Sequence, residues 1–124
     1  MTLNEYQAQA MSTCMKSCDN FSYMMLNLVG EVGEFASKVA KEIRKGGIEI
    51  GATAMPNKIM PYMHEDEWWA KDVELMKEAG DILWQLAGLC KVMGWTLEEV
   101  AQGNLDKLAS RKERGVIDGN GDNR

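Results

Sequence analysis

The chain has one histidine, three cysteines and two prolines in 124 residues, and each scarcity removes a class of protein. With His64 as its single histidine it cannot supply the two Glu-x-x-His motifs of a di-iron carboxylate bundle. Cys14, Cys18 and Cys90, taken with His64, match no closed zinc pattern. Their odd number fits reduced thiols in a cytosol better than a disulfide framework. Positive charge is also short: the formal net charge is -5, which argues against a general nucleic-acid-binding surface. A small phosphorylated ligand held by a few local cations and a metal ion stays compatible with that charge. No stretch approaches the ~18 uncharged apolar residues of a membrane span. The start, "MTLNEYQAQAM", lacks the basic segment and apolar run of a secretory signal. The expected setting is cytoplasmic, without nucleic-acid or membrane partners. No strand-period segment and no internal repeat is visible.

What is present is ordinary for a globular chain, 45% hydrophobic and 27% charged. The length suits a single domain spanning residues 1–124. Helical spacing dominates, and four helices are expected. The first runs from Leu3 to about Met15. Asp19, Asn20 and Ser22 then make a turn and offer an N-cap for a second helix, because their side-chain oxygens accept free backbone N–H groups. Met25, Leu28, Val29, Val32, Phe35, Ala36, Val39 and Ile43 form its apolar stripe. Lys41, Arg44 and Lys45 load its last turn with positive charge, and Gly46–Gly47 end it. From Gly46 to His64 the period disappears and both prolines, Pro56 and Pro61, occur, so this is read as a long loop. A third helix is expected from Asp66 to Met93, with Gly94 as its stop. Thr96-Leu97-Glu98-Glu99 is a capping box that opens a fourth, reaching about Arg114. The Gly-rich tail "GVIDGNGDNR" is read as loop or extended chain. The fold class is all-α, a four-helix bundle.

Two acidic pairs stand out. Glu31 and Glu34 lie one turn apart in "LNLVGEVGEF", and Glu78 and Asp81 repeat the spacing in "EAGDILW". Each pair shares one helix face. Both are set among apolar residues, where unpartnered carboxylates cost several kcal/mol each and so are paired or metal-bound. Four carboxylates converging from two helices would make an all-oxygen site suited to Mg²⁺ or Mn²⁺. Gly30, Gly33 and Gly80, each costing about 0.5–1 kcal/mol in a helix interior, would be offset by close backbone approach or by room for a ligand. Against this stands the commoner fate of such pairs, surface ion pairs worth under about 1 kcal/mol.

"GEVGEF" followed by "KEAGDILW" resembles the ExxE…ExxD signature of the MazG-like all-α nucleoside triphosphate pyrophosphohydrolases. The later stretch "NLDKLASRKERG" resembles their Asn-x-x-Lys-Leu-x-x-Arg-x-x-Arg-Gly ending, and "LNEYQ" looks like their N-terminus. The spacer between Glu34 and Glu78 is longer than compact members carry, and the extra length falls between Gly46 and Trp69. The resemblance implies hydrolysis of a (deoxy)nucleoside triphosphate to monophosphate and pyrophosphate. It implies Mg²⁺ held by Glu31, Glu34, Glu78 and Asp81, and a homodimer or dimer of dimers with sites near subunit contacts. It places Asn104 and Lys107 on the triphosphate, where a lysine would act as a point charge on the leaving pyrophosphate. The reaction needs phosphate charge neutralised and a water oriented, tasks for bound Mg²⁺, and one of the four carboxylates could take the proton.

Arg111, Arg114 and Arg124 are further phosphate candidates, with a solvent-facing or interface charge as the simpler reading. Trp68, Trp69, Trp84 and Trp95 could stack on a base or fill the core, and Trp84, one turn after Asp81, is the best placed to stack. Lys38, Lys41, Arg44 and Lys45 read most simply as a solvated face, with a phosphate role for Lys38 left open. Two rivals stand beside this reading: the same fold acting on another nucleotide such as phosphoribosyl-ATP, and a helical interaction module whose carboxylates make structural ion pairs.

Overall fold

A computed structural model describes residues 1–45 and 65–118, with the backbone alone for 65–72. The expected loop from Gly46 to His64, the side chains of Trp68 and Trp69, and Arg124 lie outside the described residues. Within them the chain forms four helices and no strand: α1 Leu3–Met11, α2 Phe21–Arg44, α3 Glu65–Val92 and α4 Leu97–Glu113.

Local chemistry sets the ends. Thr2 and Glu5 form a capping box at α1, with Thr2 N–H donating to Glu5 Oε2 at 2.7 Å. The helix stops at Met11, short of the expected Met15. Ser12 and Thr13 hydroxyls bond back to the carbonyls of Gln9 and Ala10, both at 2.6 Å, the local competition with the helix ladder that these residues provide. Asn20 caps α2 by accepting from Tyr23 N–H at 2.9 Å. The Thr96–Glu99 capping box opens α4 as expected. α3 and α4 end alike. Trp95 N–H reaches Cys90 O and Gly94 N–H reaches Lys91 O, while Val116 and Gly115 repeat the pattern on Arg111 and Lys112. These are Schellman motifs, and they require Gly94 and Gly115 at φ 75 and 66.

α3 is the central element. α2 makes the most extensive pairing with it, α1 packs on it from another side, and α4 packs on α1. Ala87, Cys90 and Leu97 form the core, with Tyr6, Met11 and Leu86 around them. Gln7 joins three elements: its Nε2 donates to Ala87 O at 3.2 Å and Trp95 O at 3.1 Å, and its Oε1 accepts from Leu97 N–H at 3.0 Å. That gives "LNEYQ" a structural task.

The apolar stripe of α2 is wider than one neighbouring helix covers. Met24, outside the expected stripe, is fully buried, whereas Val29 and Val32 stand 67% and 49% exposed and Leu26 76%. None of the helices is long and apolar enough to cross a membrane, among the described residues.

Candidate metal centre

α2 and α3 bring Glu31, Glu78 and Asp81 together. Each offers one carboxylate oxygen, and these oxygens all lie within 4.8 Å of one another. That span is close to two metal–oxygen bonds of about 2–2.5 Å each, so the trio suits a hard divalent cation. Glu34, one turn along, is exposed and lies outside this trio. It still adds to the local charge: burial, then Asp81, then Glu34 push the Glu31 carboxyl above the usual carboxylate range, against a lowering by Asn27. A carboxyl that resists ionisation beside other carboxylates is one whose charged form a cation would favour.

Two side chains brace the trio. Asn27 Nδ2 donates to Glu31 Oε1 at 3.0 Å, one turn earlier on α2. Lys38 Nζ reaches from α2 to Glu78 Oε1 at 2.6 Å and Glu74 Oε1 at 3.1 Å on α3. The hydrogen bond to Glu78 is the main reason that the Lys38 ammonium is held above its ordinary value. Neither Asn27 nor Glu74 follows from the acidic motifs, yet each lies four residues before a cluster glutamate and hence on its face.

Several expectations change. The two pairs are less embedded than their apolar neighbours imply: Asp81 and Glu34 are exposed and Glu31 is half-buried, while the Glu78 side chain alone is largely buried. The reason is that Val29 and Val32 beside them are themselves open to solvent. The glycines do not mark close backbone approach either. Beyond its chain neighbours and its own helix backbone, a Cβ on Gly33 or Gly80 would meet nothing within 4 Å among the described residues, and one on Gly30 would meet only Asn27 Oδ1 at 3.9 Å. What they leave is open space beside the carboxylates.

Trp84 points its indole N–H at α1, donating to Thr13 Oγ1 at 2.9 Å and Ala10 O at 3.1 Å. Arg111 is buried, 5% exposed, which removes the solvent-facing half of its simpler reading as a solvent-facing or interface charge; Arg114 is exposed and donates to Ser110 Oγ at 3.3 Å. Asn104 and Lys107 line a cavity of about 540 Å³ with Leu83, Leu86 and Val100. At about 100° per residue, Leu86 and Leu83 lie roughly 140° and 200° around α3 from Asp81. Within one chain, therefore, this cavity and the carboxylate trio occupy different flanks of α3.

An oxygen-only trio is thus shared by two antiparallel helices, and the capped helix α4 carries Asn104 and Lys107. The chain belongs to the MazG nucleotide pyrophosphohydrolase domain family, whose model matches residues 19–116 and so spans both acidic pairs and Asn104 to Arg111. It is similar along its whole length to Gene 37 protein of Mycobacterium phage L5, at 36% identity over 131 aligned residues covering 100% of each chain. No solved structure matches.

Proposed function

We propose that the protein hydrolyses nucleoside triphosphates, ribo- or deoxyribo-, to the monophosphate and pyrophosphate with Mg²⁺, or Mn²⁺ in its place. The carrying observation is the trio of carboxylate oxygens within 4.8 Å, contributed by α2 and α3, in a chain of a nucleotide pyrophosphohydrolase family. Glu31, Glu78 and Asp81 would hold the cation, with Glu34 as a fourth carboxylate at the exposed side. When bound, Mg²⁺ neutralises phosphate charge and orients an attacking water. The chain's own part is to fix the carboxylates before substrate arrives, through Asn27 on Glu31 and the α2–α3 pairing. One of the four carboxylates would take the proton of the attacking water.

Asn104 and Lys107 are proposed to hold the triphosphate of a neighbouring copy. Their flank of α3 is turned from the chain's own trio, and Leu26, Val29, Leu105 and Leu108 leave apolar surface exposed on α2 and α4. Exposed apolar faces of that extent favour self-association. A homodimer or a dimer of dimers is the assembly proposed.

The test is incubation with each of the common ribo- and deoxyribonucleoside triphosphates, with and without Mg²⁺, products resolved by ion exchange and Glu78→Gln as control. Monophosphate plus pyrophosphate, lost without metal or in the variant, supports the reading and ranks the bases. No turnover of any of them removes it and directs the search to other nucleotides or to a binding role.

A further inference from the structure

Three contacts between α2 and α3 recur at seven-residue steps on both helices: Met24 with Gly88, Glu31 with Asp81, and Lys38 with Glu74. Seven residues is close to two turns, so the three pairs fall on one face of each helix in a single antiparallel register. Lys38 therefore belongs to the same seam as the carboxylate trio. Its ammonium sits at 2.6 Å from Glu78 and 3.1 Å from Glu74. The Glu78 side chain is only 12% exposed, so little water competes for its carboxylate. A short charge-assisted hydrogen bond there restricts the rotamers of Glu78.

We propose that Lys38 is a positioning residue that aims Glu78 at Glu31 and Asp81, with Glu74 holding its ammonium in place. This rests on the metal-centre reading above and replaces a phosphate-binding role for Lys38. A lysine engaged by two carboxylates is already neutralised. It therefore repels an incoming divalent cation less than a free ammonium would, and it is poorly available as a point charge for phosphate. Without it, Glu74, Glu78, Glu31 and Asp81 repel one another along the seam and Glu78 swings free. The outer partners that orient metal ligands act in this way, and their loss typically weakens metal affinity roughly 10- to 100-fold.

The experiment titrates Mn²⁺ into the full-length protein without nucleotide, reading free Mn²⁺ by electron paramagnetic resonance, with helicity checked by circular dichroism. Lys38→Met is expected to weaken Mn²⁺ binding roughly 10-fold. Lys38→Arg, which keeps the charge and the donors, should recover most of that loss. Glu74→Gln, outside the trio, should weaken binding in the same direction by less. Asp81→Asn should abolish it. If only charge mattered, removing a cation would tighten binding, so unchanged or tighter Mn²⁺ binding by a folded Lys38→Met chain overturns the proposal. A rise in KM for the triphosphate with Mn²⁺ affinity intact also overturns it, in favour of a phosphate ligand. Should Lys38→Met fail to fold, Glu74→Gln decides by the same criterion. A wild-type chain that binds no Mn²⁺ overturns the metal-centre reading itself and this proposal with it.

Discussion

Met24 lies so close over Gly88 that a β-carbon on Gly88 would overlap its Sδ and Cε. Met24 is fully buried, so its side chain has little freedom to move aside. Gly88→Ala is therefore expected to cost about 1–3 kcal/mol through overpacking, offset in part by a gain of about 0.5–1 kcal/mol from replacing a mid-helix glycine, so that the fold is destabilised on balance. Met24→Ala should cost about 2–5 kcal/mol by leaving a cavity. The double variant should be less destabilised than the two losses added, because the new methyl group then occupies part of the vacated space. Urea denaturation of the four chains measures this; strict additivity would mean that the two residues do not share the contact.

The same register joins Glu31 to Asp81 two turns away, and their mutual repulsion has a pH signature. Glu31 is held above the carboxylate range in the folded chain, first by burial and then by Asp81 and Glu34. A raised folded pKa means that this contribution to stability is fully present below the unfolded value and is lost as pH rises through the folded one. Without divalent cation, stability should thus fall as pH climbs above about 4.5, the ordinary glutamate value. Glu31→Gln should flatten that fall and raise the melting temperature of the metal-free protein. Thermal melts across pH, in chelator, check both expectations.

Cation binding should reverse the effect. A ligand that binds only the folded state at a hundred times its Kd stabilises by about 2.7 kcal/mol. Mn²⁺ or Mg²⁺ is expected to raise the melting temperature of the wild type and not that of Asp81→Asn or Glu78→Gln. Equal shifts in all three chains would return the carboxylates to structural ion pairing.

The capping box of α4 carries the opposite sign. The Thr96 backbone and side-chain donors hold Glu99 below its ordinary value. That stability is present above the unfolded carboxylate pKa and is lost as pH falls through the folded one. Glu99→Gln should lower stability at neutral pH and leave less to lose in acid, seen as converging acid-denaturation curves.

Helix number and ends were legible because their causes are local. Thr96 with Glu99, Asn20 before α2 and Gly94 after α3 are read within a few residues. The early stop of α1 was not, because it turns on whether Ser12 and Thr13 prefer their own carbonyls to the ladder. The acidic residues were legible as same-face pairs from their three-residue spacing. Which of them meet was not, since that depends on the α2–α3 register, set by Met24 on Gly88 and Lys38 on Glu74. Periodicity also marks Val29 and Val32 as apolar-face residues without saying that α3 leaves them exposed.

That uncovered face bears on where the triphosphate is held. If Asn104 and Lys107 serve a neighbouring copy's trio, Asp81→Asn and Lys107→Ala chains fail for complementary reasons. Each alone should lack activity. Co-refolded in equal amounts as dimers, half of the pairs are mixed, and each mixed pair contains one site with intact carboxylates and an intact lysine. Recovery of about a quarter of wild-type activity is then expected from the symmetry of a two-fold assembly. A site complete within one chain predicts no recovery at any mixing ratio. Leu26→Asp with Val29→Asp should lower the molar mass seen by light scattering and abolish that recovery together. Loss of activity with the mass unchanged would put those two side chains in the site rather than in the contact.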